Sequence, residues 1–447
     1  MRPAPVLACT LALALSALAA PASAAPEPGA ARSTSPATSP DELVVGYVSD
    51  AGPADRERAR GRAAAALEGR IVADAADRDE VELVRLPRGA SRDRAVAALL
   101  SDPAVAYAEP NWTYTTQVVP SDPYYGDGRL WGVKGNATTP TTTAAGSQAE
   151  KAWAAGRTGS KQVYIGVIDE GVQFTHPDLD ANMWTNPFDA ANGRDDDGNG
   201  YVDDVRGWDF AAGDNTVYDG GSKGTQDDHG THVAGTIGAE ANGAGVVGVN
   251  HKVTMISGKF LGSNGGTLAG AVKAIDYFTD LKKRHGLNIV ATNNSWGGGG
   301  FSQALKDAIA RANTANILFV AAAGNSGTNN DTTASYPANY NVANVIAVAA
   351  IDRNGGLATF SQFGATTVDL AAPGVDVWST TAFSNYSAYS GTSMATPHVT
   401  GAAALYAATR PGSSAATIKA AILSAAIKTS SLTSKTVTGG RLNAAAF

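Results

Sequence analysis

Apolar and polar residues alternate in short runs at residues 43–48, 70–73, 81–86 and 105–108, and they recur every three or four positions over 54–67 and 93–100. Alternation puts every second side chain on one face of a strand, whereas the longer period marks one face of a helix. The order is therefore strand, helix, strand, strand, helix, strand, with Ser91 placed to cap the second helix. That order predicts a small ferredoxin-like α+β sandwich over residues 41–117.

From residue 118 the pattern changes. Nearly unbroken apolar runs at 163–169, 253–261, 289–293, 317–323, 345–350 and 368–370 alternate with helical stretches at 232–239, 268–284 and 301–313. Strands of this kind are covered on both faces, so 118–447 reads as an α/β unit with a parallel sheet between helical layers. A later helix carries no charge from 399 to 408 and should be buried all round. Glycine supplies 50 of the 447 residues and gathers at 262–266 and 297–300, beyond strand ends where α/β folds place ligands.

Residues 1–24 combine a basic start, an apolar stretch from 6 to 20 and Ala22-Ser23-Ala24, the layout of a secretory signal and too short for a membrane anchor. Residues 25–40, rich in Pro, Ala, Ser and Thr, read as a disordered leader. The sole cysteine, Cys9, has most of the apolar stretch after it rather than before it, which argues against lipidation, and it is expected to leave with the signal. A secreted chain without disulfides must be stabilised by a large core or bound ions. The net charge of −7 argues against a nucleic-acid partner, and no later run is long enough to span a bilayer.

The chemistry is carried by four positions. Ser393 stands at the mouth of the uncharged helix, where free N–H groups and the positive dipole end favour developing negative charge; alone it reads equally well as an N-cap. Asp169 ends the strand at 163–169, a position with few structural uses for a carboxylate. His229 opens a helix, and Asn325 follows the strand at 317–323, where a lone Asn is ordinarily a turn residue. His229 and His232 stand three apart without the adjacent Glu of a zinc-binding helix, which has its histidines four apart, so His232 and His398 are expected to be packed structural histidines.

Asp169-Glu170-Gly171, Asp228-His229-Gly230-Thr231-His232 and Gly391-Thr392-Ser393-Met394-Ala395 together resemble, in that chain order, the motifs of the subtilisin-like serine proteases. The resemblance implies a subtilisin-like three-layer fold and a secreted endopeptidase with Asp169, His229 and Ser393 as triad and Asn325 as side-chain oxyanion donor. Ser295, Trp296 and Gly297, with Gly265 and Gly266, match the two segments that hold an extended substrate. Small uncharged walls there imply broad cleavage favouring apolar side chains. The 41–117 unit resembles the family's inhibitory propeptide, so partners are protein or peptide substrates and the chain's own propeptide, on a monomer. The family usually has a small residue where this chain has Glu170. Met394, beside the nucleophile, is expected to be open to small oxidants. An α/β-hydrolase esterase is excluded, because it needs Gly-x-Ser-x-Gly and a different triad order. A non-catalytic calcium-dependent binder on the same scaffold fits poorly with all four residues present.

Residues 178–228 hold thirteen Asp against Arg194, Arg206 and Lys223, a local balance of −10. Asp195, Asp197, Asn199 and Asp203 stand at positions 1, 3, 5 and 9 of an EF-hand-type loop with Gly200 at 6, but Arg206 replaces the closing Glu. Calcium and a solvated acidic turn are both open readings, with Asp204 a possible closing ligand. Resemblance to thermitase-like subtilases implies two further Ca2+ sites, one at Asp122, Asp178 and Asn242 and one at Asp209, Asp214 and Thr216. In the latter, Ala212 and Tyr218 stand where further ligands are usual.

Overall fold

The computed structural model describes residues 38–68, 71–75, 81–112, 120–135, 145–220, 227–263 and 265–446. The signal segment, nearly all of the leader and the expected junction at Gln117 and Val118 lie outside them. The chain divides into two units, Met1–Tyr114 and Thr115–Phe447.

The first unit runs β1 (Thr38–Tyr47), α1 (Pro53–Leu67), β2 (Val72–Ala75), β3 (Val81–Arg85), α2 (Arg92–Leu100) and β4 (Val105–Trp112). Its antiparallel sheet has the order β2-β3-β1-β4. Leu43, Val45 and Tyr47 of β1 and Val84 of β3 face Ala59 and Ala63 of α1 and Ala95 and Leu99 of α2. Ser91 caps α2 by accepting from Arg94 N. β1 starts earlier than the leader's expected end at residue 40. β2 falls two residues later than expected, where Val72 meets Arg85 in the ladder with β3.

The second unit opens with short helices α3 (Pro123–Gly126) and α4 (Ala149–Ala154), followed by β5 (Gly159–Asp169), β6 (Gly207–Asp209), α5 (Asp228–Gly238) and β7 (Lys252–Lys259). A two-residue hairpin, β8 (Leu261–Gly262) and β9 (Gly265–Gly266), leads to α6 (Leu268–His285), β10 (Ile289–Asn294), α7 (Gln303–Thr314), β11 (Leu318–Ala322), β12 (Val345–Ile351) and β13 (Leu370–Pro373). A second hairpin, β14 (Val377–Thr381) and β15 (Asn385–Tyr389), precedes α8 (Thr392–Thr409), α9 (Ala415–Ser424), β16 (Ile427–Lys428) and β17 (Gly440–Arg441). The nine-stranded sheet has the order β16-β17-β13-β12-β11-β10-β5-β7-β6, parallel except for β16.

After β5 the chain builds outward to β7 and β6, then crosses back to lay β10 on the other side of β5. The carboxyl end of such a switch point is a crevice open to ligands. Val163, Ile165 and Val167 of β5 face the core shared with α5 and α8, while Ile168 faces the one shared with α6 and α7. As the uncharged stretch predicts, α8 is buried almost throughout, with only Ser393, Ala408 and Thr409 reaching the surface layer. Its Gly401 lets α5 approach: a Cβ there would lie 2.8 Å from Val249 and 3.0 Å from the Ile237 carbonyl.

Candidate active site

Asp169 is the last residue of β5 and is fully buried. Its Oδ1 accepts from Glu170 N at 2.9 Å and lies 2.8 Å from His229 Nδ1, while Oδ2 is buried without a partner. His229 is the second residue of α5, whose head rests on the turn after β5. A Cβ on Gly230 would stand 2.0 Å from the Gly171 carbonyl, so that contact requires glycine. The head is tied further by Thr231, whose hydroxyl donates to Asp227 O and accepts from Gln173 N.

The His229 side chain is 31% exposed. Burial pulls its pKa down, but the Asp169 charge and hydrogen bond, followed by the Glu170 charge, outweigh burial and raise it to about 9. An imidazole held by a carboxylate at Nδ1 can accept a proton at Nε2 and carry the resulting charge. His232 and His398 are packed as expected. His232 Nε2 meets the Val377 carbonyl at 2.8 Å with its ring stacked on Tyr389, and burial lowers its pKa to about 3. His398 Nδ1 meets the Met394 carbonyl at 2.9 Å, and burial lowers its pKa to about 4.

Ser393 is the second residue of α8. Its Oγ donates to the Ser295 carbonyl at 3.1 Å, and Ser295 Oγ donates back to the Ser393 carbonyl at 2.8 Å. Behind this pair, Thr400 donates to Asn293 Oδ1 and Asn293 donates to Ser295 Oγ, so a buried chain runs from inside α8 to its own first turn. Asn325 follows β11. Its Oδ1 accepts from both the N–H and the hydroxyl of Thr392, at 2.8 and 2.9 Å, which fixes the amide against the first turn of the nucleophile's helix. A Cβ added to Gly391 would lie 3.5 Å from Asn325 Nδ2 and 3.6 Å from Ser393 N, so both nitrogens border the space beside Gly391. The sequence reading missed Thr392, Asn293 and Thr400, whose only signal was their closeness in the chain to Ser393 or Ser295.

A cleft of about 560 Å³ is lined by Ser295, Trp296, Gly297, Ala322, Asn325 and Ser393 among others, and no charged side chain among the described residues lines it. A second cavity, of about 570 Å³, brings Trp296 and Gly297 together with Gly265, Gly266 and Leu268. The two expected substrate edges thus meet across one hollow. Gly265 and Gly266 themselves pair with Gly262 and Leu261. Met394 is only 2% exposed and packs in the core, contrary to the expectation drawn from its place next to Ser393.

Among the candidate metal ligands, Asp122 and Asp178 are fully buried together. Asp178 accepts from Asn242 Nδ2 and Val246 N, and Asp122 accepts from Gly243 N through Oδ1 while Oδ2 is buried with no partner among the described residues. An orphaned carboxylate oxygen beside a second buried carboxylate suits a calcium ion. The acidic loop differs. Asp195 and Asp197 accept from the loop's own Asn199 and Gly200 N–H groups, Asn199 Nδ2 donates to Asp204, and Asp203 turns away to take the Asn192 and Gly193 N–H groups. Asp209 likewise binds Ala211 and Ala212 N, and Asp214 binds Thr216 N. No cluster of three or more His, Cys, Asp or Glu poised around one ion occurs among the described residues.

The subtilase family matches residues 160–444, and the Fervidolysin N-terminal prodomain matches residues 25–111. The chain is 37% identical over 314 residues to a thermophilic serine proteinase of Bacillus sp. strain AK1, covering 70% of this chain and 65% of the relative, so that it spans just under two thirds of that protein. It is 38% identical over 274 residues to Subtilisin DY of Bacillus licheniformis, covering 61% of this chain and 86% of the relative. Among solved structures, a protease of Pseudoalteromonas arctica aligns at a TM-score of 0.57 and 30% identity, covering 74% of this chain and 98% of that one. Subtilisin-like serine proteases are hydrolases, and with the match extending over most of the second unit and a prodomain ahead of it, the chain belongs to the subtilase family, peptidase S8.

Proposed function

We propose that the chain is a secreted serine endopeptidase of the thermitase-like kind, with Asp169, His229 and Ser393 as its triad. The observation that carries the reading is the 2.8 Å bond from buried Asp169 to His229 Nδ1, at the same sheet edge as Asn325 and the helix bearing Ser393. An extended peptide lies between the Ser295–Trp296–Gly297 and Gly265–Gly266 segments, and one of its N–H groups takes the Ser295 carbonyl, releasing the Ser393 hydroxyl. Ser393 Oγ attacks the scissile carbonyl as its proton passes to His229 Nε2, and Asp169 stabilises the imidazolium. Asn325 Nδ2 and Ser393 N–H hold the oxyanion. Collapse expels the amine with the proton from His229 and leaves an acyl-enzyme, which water hydrolyses by the same route in reverse. The uncharged cleft supports broad cleavage after apolar side chains.

The prodomain match, which spans 25–111 and so takes in the leader, supports an inhibitory propeptide ahead of the catalytic domain; the proposed layout is signal peptide 1–24, leader 25–40, propeptide 41–117 and catalytic domain 118–447, matured by self-cleavage between Gln117 and Val118. The protein works as a monomer outside the cell on protein or peptide substrates; among the described residues no helix is long and apolar enough to cross a membrane. Subtilases commonly bind structural calcium, and here Asp122 and Asp178 would hold it, with Asn242 joining them only through Oδ1, which now accepts from Ala244 N. When bound, the ion supplies positive charge to two buried carboxylates and fixes the loops that carry them. Intact mass and N-terminal sequencing of the secreted protein test the whole account. Wild type should begin at or within a few residues of Val118, and Ser393→Ala should accumulate uncut. A start upstream of Trp112 or beyond Asp122, or a Ser393→Ala protein processed normally without added protease, would reject it.

A further inference from the structure

Helix α5 begins without a cap of its own. Asp227, at its N-cap position, is in the left-handed region (φ 60°) and makes no side-chain cap hydrogen bond. A helix start leaves its first N–H groups seeking acceptors, and one left buried and unmade is destabilising. The second of these groups belongs to His229, and it is met from outside the helix: Glu170 Oε1 accepts from His229 N at 2.7 Å. The two residues that end and follow β5 therefore hold the histidine at both ends, Asp169 at the ring and Glu170 at the backbone.

We propose that Glu170 is a positioning residue for His229, capping α5 from the adjoining strand and adding a second carboxylate that holds the imidazolium. The inference rests on His229 being the general base. A small neutral residue here could not span to the helix and carry charge together, so the departure from the family's usual residue has a physical consequence.

The surroundings leave Glu170 as the second close carboxylate acting on the ring. Asp227 shares the single Lys259 ammonium with Asp219 and its charge still bears on Glu170, but the carboxylates that act on the His229 ring are Asp169 and then Glu170. Asp228 accepts from Ala382 N at 2.9 Å. His232 is buried and neutral, and Tyr389 of β15, whose hydroxyl lies in the field of Asp228 and Glu170, has its pKa raised mainly by burial. Burial first, then the Asp169 charge, raises the Glu170 carboxyl, while the His229 N–H and charge pull it back, and Glu170 is the third influence after burial and Asp169 on His229 itself.

The test is the pH profile of kcat/KM for Glu170→Gln and Glu170→Ala, with the His229 ring titration followed by NMR in a Ser393→Ala background. Glu170→Gln keeps an acceptor for the N–H and loses the charge, so its acid limb and ring titration should both move to lower pH by on the order of one pH unit. Glu170→Ala should show the same move together with a plateau kcat lower by about tenfold, since the helix head loses its cap. A purely structural role would lower kcat or stability without moving the ring titration. Profiles of both variants that superimpose on wild type, while Ser393→Ala is inactive, overturn the positioning role and leave the triad standing. An active Ser393→Ala protein overturns the triad itself.

Discussion

Chelation should act on the Asp122–Asp178 pair before other parts of the molecule. Without an ion these two carboxylates are buried side by side, and Asp122 Oδ2 meets no donor. Burial, and the charge of Asp178 after the hydrogen bonds to it, press on the Asp122 carboxyl and raise its pKa. A ligand bound only by the folded state adds about 2.7 kcal/mol at a hundredfold excess over its Kd, and about 1.4 kcal/mol more for each further tenfold. For a unit of this size that first step is roughly 4 °C in Tm. The assay is a thermal melt of Ser393→Ala protein, which cannot digest itself, across a calcium series and in EDTA. Asp122→Asn should lower Tm and flatten its dependence on calcium. Asp195→Asn and Asp209→Asn should keep that dependence, because their carboxylates already bind N–H groups of their own loops. Equal melting temperatures in calcium and EDTA, or an Asp122→Asn protein with the full calcium slope, would refute the reasoning.

Further outcomes follow from the site. Asn325→Ala should lower kcat by about 10²–10³ with little change in KM, the figure measured for loss of this kind of donor in a subtilisin. Thr392→Val, which removes one of the two bonds holding Asn325 Oδ1, should cost about tenfold in kcat, roughly one hydrogen bond's worth, and full activity in it would show that Asn325 is held by other means. Only neutral imidazole can take the Ser393 proton, and His229 is raised to about 9, so kcat/KM should climb with pH through that region and fall below it. The same shift adds stability that is fully present below the ordinary imidazole value of 6.5 and is lost as pH rises through about 9, so activity rises while this contribution fades. A profile on a neutral peptide substrate beside a pH series of melts checks both, and an acid limb at or below 6.5 contradicts the shift.

Except for the short β6, β16 and β17, which hold no apolar run, the strands of the sheet were legible because each is a local apolar run whose burial on both faces is written in its own residues; β5, β10, β11 and β12 end within one residue of the expected limits. The hairpin of β14 and β15 was not. Its residues are largely polar, and its turn places Phe383 and Ser384 at positive φ without the glycine or asparagine that ordinarily signals one. What holds it is tertiary: Ser379 and Thr380 donate to the His232 and Thr231 carbonyls of α5. No window along the chain contains both partners of those bonds.

The acidic loop shows a second limit. Spacing gave the oxygens, but Asp203 sits at φ 58°, and that one dihedral swings its carboxylate away from Asp195 and Asp197 to the turn at Asn192 and Gly193. Ligand spacing is a property of the sequence, whereas convergence on an ion is a property of backbone angles that several distant bonds set together. Met394 makes the same point on a helix. Successive residues of α8 are turned by about 100°, so the turn that presents Ser393 toward the Ser295 carbonyl sends its neighbour into the core beneath. Adjacency to a nucleophile along the chain therefore says little about access, whereas adjacency along β5 does matter. There Asp169 and Glu170 leave the end of the strand, where its alternating pattern stops, and both reach the same histidine.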